Sequence, residues 1–263
     1  MWQVFRANLK GIFRDRVFLG ILVAATIFPL IPSVSSLSMR QVTELSITLS
    51  FSLLTFILLL LAIFLGGTSL WKDIERRYTF SIAGLPLTRG QYLLGKFAAI
   101  AVFLLLVSLV LGLLLLMTVY VTSILHPPIR PVVWGNLVLA VLFHCLKYIL
   151  LVSFTFLFST VSTSFFLPIF GTIAVFFVGT ASQQVFDFLQ SPSGQKLPVL
   201  LQQIATGLYY IVPNFTAFDL NVNAIYALDV PLNGIGLTLL YFIVYLVIIL
   251  SCASFLFARR ELN

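Results

Sequence analysis

Charge is what this sequence has least of. Only 9% of its 263 residues are charged, against about 25% in an ordinary soluble domain, while 60% are hydrophobic and the mean hydropathy is +1.12. That composition excludes a soluble globular domain as well as a disordered or collagen-like chain. Two cysteines cannot build a disulfide scaffold, and both Cys145 and Cys252 sit in apolar runs, where cysteine serves as a small hydrophobe. The two histidines, His126 and His144, cannot supply a typical zinc site, so no metal is expected. Neither His-Glu-x-x-His nor Gly-x-Ser-x-Gly occurs, which counts against an intramembrane enzyme. No Asp or Glu falls inside the long apolar runs, which weakens proton-coupled transport, because proton relays there use carboxylates. The formal charge of +7 is read as membrane topology, and no nucleic-acid partner is expected.

What the sequence has in abundance is long hydrophobic stretches. Runs long enough to cross a bilayer, roughly 20 residues each, lie at about 17–34, 47–67, 97–122, 134–158, 164–182 and 235–257. They lack the alternation of barrel strands, so the expectation is an all-α integral membrane protein with six transmembrane helices. An even number puts both termini on one side. Arg6, Lys10, Arg14, Arg16, Lys72, Arg76, Arg77, Arg89, Lys96, Arg259 and Arg260 then share that side, with only Arg40, Arg130 and Lys196 opposite. By the positive-inside rule the termini and the 68–96 loop are cytoplasmic, and the chain is a multi-pass protein of the inner or plasma membrane. The whole of 1–263 reads as one transmembrane domain.

In residues 1–16, Arg6, Lys10 and Arg14 recur at helical spacing, while Trp2, Phe5, Leu9, Ile12 and Phe13 occupy the opposite face. The spacing predicts an amphipathic elbow helix on the membrane surface, its cations on lipid headgroups. The simpler reading is a basic flank that only sets topology. No small-residue cleavage site follows the first run, so it is not read as a signal peptide; Pro29 and Pro32 are expected to kink its outer end.

The loop between the second and third runs carries internal punctuation. Gly84-Leu85-Pro86 is a helix stop, and Thr88 with Gln91 fits a capping box that starts a new helix into the third run. The result is a charged hairpin, with Asp73, Glu75, Arg76, Arg77 and Arg89 as docking groups. It is either gripped by another protein or a solvated connector.

These residues resemble the type-2 ABC exporter permeases, the ABC-2 type membrane subunits of ABC transporters. The likeness lies in Asp73-Ile-Glu75-Arg76-Arg77, then Gly84-Leu-Pro86-Leu-Thr88-Arg89, then Leu94-Gly95-Lys96. It extends to the N-terminal helix, the turn Leu157–Thr163, the segment Val212–Asp219 and the closing Phe257-Ala-Arg-Arg-Glu261. The resemblance implies that the 68–96 loop is a coupling element seated on a separate cytoplasmic ATPase, with Asp73, Glu75, Arg76, Arg77, Gly84, Pro86 and Arg89 as its coupling residues. It implies ATP and magnesium in that partner and no cofactor here, a second permease copy or related permease, and export of a substrate that the residues do not specify. A second reading keeps the ATPase but passes motion to an extracytoplasmic partner, without cargo.

Gly90-Gln-Tyr-Leu-Leu-Gly-Lys96 imitates part of a P-loop, but Phe97 stands where Ser or Thr would hold magnesium, and no strand precedes it. The polar residues that demand explanation are His144 and Lys147, three apart near the middle of the fourth run. An ionised lysine there costs roughly 2.5 to 3.5 kcal/mol on insertion scales, so the pair should face the interior. It either lines a transport path or dimer cavity, or makes structural hydrogen bonds to a neighbour. Lys147 lacks a carboxylate partner unless the 183–234 segment dips inward with Asp187 or Asp219. Residues 197–212 are too short to cross and are read as an interfacial or re-entrant helix in that segment, which roofs the cavity or docks a partner. Gly171, Thr172 and Ala174 in the fifth run would suit close packing with a second subunit.

Overall fold

A computed structural model describes residues 2–14, 17–38, 41–75, 88–128, 130–192 and 194–259. Arg76, Arg77, Gly84, Pro86 and Arg260 lie outside the described residues, as do the side chains of Arg14 and Glu75. Among the described residues the fold is helical throughout, with no strand. The helices are α1 (Trp2–Arg14), α2 (Val17–Ala25), α3 (Ile31–Ser35), α4 (Val42–Glu75), α5 (Arg89–Leu125) and α6 (Trp134–Val161). They continue as α7 (Phe166–Gln190), α8 (Val199–Ile211), α9 (Asn221–Tyr226) and α10 (Leu232–Arg259).

Five of these, in α4, α5, α6, α7 and α10, are long and apolar enough to cross a membrane. The expected sixth crossing is different: its segment is broken into the short helices α2 and α3. The break follows from proline chemistry. Pro29 sits in the first turn of a 3₁₀ helix, Phe28–Leu30, and Pro32 opens α3, so neither can continue the ladder from α2. The hydroxyl of Thr26 donates to the carbonyl of Val23 at 2.6 Å at the end of α2.

The long helices also run past the hydrophobic stretches. α4 continues to Glu75, and α7 to Gln190 rather than ending near 182. The capping box at the start of α5 is present as expected. Thr88 Oγ1 accepts from the Gln91 amide at 3.3 Å, and Gln91 Oε1 accepts from the Thr88 amide at 3.4 Å.

The core sits where α4, α5 and α6 pack together. The most apolar stretch of α6 is 72% buried, against 17% for α10, so α6 is the axis and α10 presents most of its surface outward. Close approach is set by small residues. A Cβ on Gly112 of α5 would lie 2.7 Å from Val141 of α6, and Gly66 of α4 rests against Thr155 of α6. Thr172 is fully buried and donates to Thr155 Oγ1 at 3.1 Å. Its packing is therefore spent inside the chain, between α6 and α7, and not on a second subunit.

Two ends of the bundle can be told apart. At one, α4 begins, α5 ends and α6 begins: Thr43 Oγ1 donates to the His126 carbonyl at 2.9 Å, and Ser46 pairs with Thr122 at 3.1 Å. At the other, α4 ends, α5 begins and α10 ends, with Arg89 Nη1 donating to the Ala258 carbonyl at 3.2 Å. α1 lies against α5, burying Val4 and Ile12 and setting Phe13 edge-on to Phe103 at 5.3 Å. Its apolar face is thus divided: Ile12 turns into the bundle, while Trp2 stays exposed, stacked on Phe5 at 5.2 Å. Arg6 and Lys10 are exposed.

Candidate functional site

The structure brings the two polar residues of α6 together with the segment that follows α8. His144 is 1% exposed and Lys147 4%. They occupy one face of α6, as a three-residue spacing dictates. His144 Nε2 lies 3.1 Å from Oδ1 of Asn221, the first residue of α9, and its ring packs edge-on to Phe51 of α4 at 5.6 Å. His144 Nδ1 is buried without a hydrogen-bond partner, a costly state for an imidazole nitrogen.

The Lys147 ammonium lies 5.5 Å from the centre of the Phe176 ring and 5.9 Å from that of Tyr148. Both rings are within cation–π range. The expectation that the 183–234 segment dips inward is met by Asp219 and not by Asp187. Asp219 lies two residues before Asn221, the residue of this segment that reaches His144. Among the described residues no ion pair within 4 Å joins it to Lys147, and its Oδ1 instead accepts the Asn221 amide at 3.0 Å. Asp187 is turned aside, accepting from Gln183 Nε2 at 2.8 Å.

What seats this segment is a pair of phenylalanines. Phe215 and Phe218, in a 3₁₀ turn spanning Phe215–Phe218, are fully buried. Phe215 packs 6.2 Å from Phe176, the same ring that faces Lys147. The seat needs Gly179 of α7: a Cβ there would lie 2.5 Å from the Pro213 carbonyl oxygen and 2.6 Å from the Phe215 ring. Neutral hydrogen bonds complete it. Asn214 Nδ2 donates to Gln183 Oε1 at 2.6 Å, Tyr241 accepts from the Asn214 amide at 2.7 Å, and Thr216 Oγ1 donates to the Thr180 carbonyl at 3.0 Å. Asn136, near the start of α6, donates to the Asn223 and Leu228 carbonyls and ties α9 to the same end.

Within residues 197–212 the short helix α8, Val199–Ile211, has no buried residue. It is held to α7 by the stack of Tyr209 on Phe186, 4.2 Å between ring centres, and shows Val199, Leu200, Ile204, Leu208 and Ile211 outward. At 13 residues it is too short to cross a bilayer.

At the opposite end, two of the expected coupling residues have described side chains. Arg89 is exposed and holds the end of α10 through Ala258. Asp73 turns inward: its Oδ2 accepts from both Lys96 Nζ and the Tyr92 hydroxyl. The P-loop imitation has no cradle, because Gly90–Lys96 is continuous α5 helix and its lysine is committed to Asp73. Sequence reasoning missed Asn221 as the partner of His144, and Phe215 and Phe218 as the residues that seat its segment. It had marked only the segment containing them, and no local pattern assigns those side chains to α6.

Residues 2–262 match a family profile described as ABC-2 family transporter protein. A comparison with curated proteins returns no match.

Proposed function

The chain belongs to the ABC-2 transporter family, and from that membership we propose that it is a permease subunit driven by a separate cytoplasmic ATPase, exporting a substrate across the inner or plasma membrane. The observation that carries this reading is the extent of the family match, which leaves one residue at each end of the 263 unmatched. Five long apolar helices support the membrane placement, and the broken α2–α3 segment supplies a sixth crossing in this reading. With six crossings the basic residues gather on one side, which places both termini and the α4–α5 end in the cytoplasm.

The 68–96 loop, with Glu75, Arg76, Arg77, Gly84, Pro86 and Arg89, then meets the ATPase, and Asp73 backs it from within. ATP and magnesium belong to that partner. Two permeases, identical or related, enclose the path as halves that rock between packed states. His144 and Lys147 line the path, with the 212–226 segment as its outer roof. α1 lies at the membrane surface, with Trp2 and Phe5 at the acyl boundary and Arg6, Lys10 and Arg14 toward headgroups.

A second reading draws support from one contact. Because His144 of α6 is bonded directly to Asn221, motion of α6 would reach the outer segment itself. The chain would then work on an extracytoplasmic partner rather than on cargo.

The test is affinity purification of the tagged chain from gently solubilised membranes, beside a Glu75→Ala, Arg77→Ala, Arg89→Ala variant. An ATPase is expected to copurify with the wild type and to be lost from the triple variant. Absence of any ATPase across several detergents overturns the proposal.

A further inference from the structure

The acidic and basic residues at the end of α4 and the start of α5 do not all face outward. Asp73 lies in the last turn of α4, with its side chain 20% exposed, and Lys96, two turns into α5, is 4% exposed. The Lys96 ammonium donates to Asp73 Oδ2 and to the Ser69 carbonyl at 2.6 Å, and the Tyr92 hydroxyl donates to the same carboxylate oxygen. Ser69 and Asp73 are one turn apart on α4, and Tyr92 and Lys96 one turn apart on α5. The cluster therefore pins a full turn of each helix to the other.

A lysine present only to set topology would extend its stem and leave its ammonium in water at the membrane surface. Lys96 does the reverse, although the start of α5 at Arg89 is less than two turns away. A charge taken out of water at this depth has to be repaid by a specific partner with good geometry, and here two donors converge on one carboxylate and one of them also reaches a backbone carbonyl.

We propose that Asp73, Lys96 and Tyr92 form a brace that makes the ends of α4 and α5 one lever, so that force applied to the hairpin between them reaches both helices together. Asp73 and Lys96 are positioning residues, which act by keeping α4 and α5 in step. The inference rests on the reading that the hairpin is where the ATPase pushes.

The test uses the purified full-length chain with its copurifying ATPase. Spin labels replace Phe64 of α4 and Val102 of α5, both of which are exposed, after Cys145 and Cys252 are changed to alanine. Pulsed electron resonance then gives the distance distribution between the labels, with and without ATP. The decisive variant is Asp73→Asn with Lys96→Met, which removes both charges of the pair together.

That double variant should keep its ATPase within about twofold of the wild-type yield. It should broaden the distribution at least about twofold and lose the ATP-dependent shift. The exchange of charges, Asp73→Lys with Lys96→Asp, should restore both the width and the shift. An unchanged width in the double variant overturns the brace, and a broadened distribution that still shifts with ATP overturns the lever. If the wild type brings down no ATPase, the proposed function fails and the lever with it, while the width without ATP still decides the brace.

Discussion

The two ends of the bundle are closed by different chemistry. Where α4 ends and α5 begins, the contacts are charged: Lys96 on Asp73, and Arg89 on the last turn of α10. At the opposite end the contacts that seat the Phe215–Phe218 turn are neutral. Amides, phenols and hydroxyls of Gln183, Asn214, Tyr241 and Thr216 surround two phenylalanines that are fully buried. A charged contact fails when either partner loses its charge, whereas a neutral cap depends on shape, because each of its hydrogen bonds contributes only about 0.5–1.5 kcal/mol net. The neutral end should fail when its fit is spoiled, and the charged end when a charge is lost.

Phe215→Ala should do the most to break that contrast. Emptying a fully buried aromatic site costs about 3–5 kcal/mol, and the loss should appear as the largest fall in thermal unfolding temperature in detergent. A fall no greater than that of an exposed leucine variant would mean that the cap is not seated by shape. Asn221→Ala comes next. It leaves His144 with neither ring nitrogen paired, at a cost of about 1–3 kcal/mol, and a second change of His144→Phe should recover part of that stability. Without such recovery, the His144–Asn221 contact does not couple α6 to the cap.

Thr88→Ala should cost about 1 kcal/mol through loss of the capping box, read as faster amide exchange confined to the first turn of α5. Exchange that spreads along the helix would show that the cap supports more than its own turn. The smallest effect belongs to the face that neither end uses. Leu240 on α10 is 58% exposed, and Leu240→Ala should stay within about 0.5 kcal/mol in the same unfolding assay. A larger loss would mark that face as covered by a second protein.

Which features could be read before the fold was known depends on how far apart the partners lie in the chain. The capping box joins Thr88 to a residue three positions on, and the proline break lies within one short segment, so both follow from local pattern. His144 and Lys147 stand out because polar residues are conspicuous in a hydrophobic run. Their surroundings do not: Asn221 lies 77 positions from His144, and nothing near Phe215 indicates that its ring will be buried beside Phe176. Asp73 shows the same limit. Beside Glu75, Arg76 and Arg77 it looks like part of an outward charged surface, yet its partner is a lysine 23 residues later that counts equally well as a topology signal. Thr172 looks available to a second subunit for the same reason, since its bond to Thr155 exists only once α7 has folded against α6.

The long separation between His144 and Asn221 also sets a schedule for making the protein. A ribosome adding about 5–20 residues per second needs roughly 4–15 s to produce the 77 residues between them. For that interval the His144 imidazole waits for a hydrogen-bond partner that does not yet exist. A helix made earlier can shelter it, and α4, whose Phe51 packs on the imidazole, is in place to do so. Weakening the α4–α6 contact should therefore lower the yield of inserted protein more than it lowers the stability of the finished one.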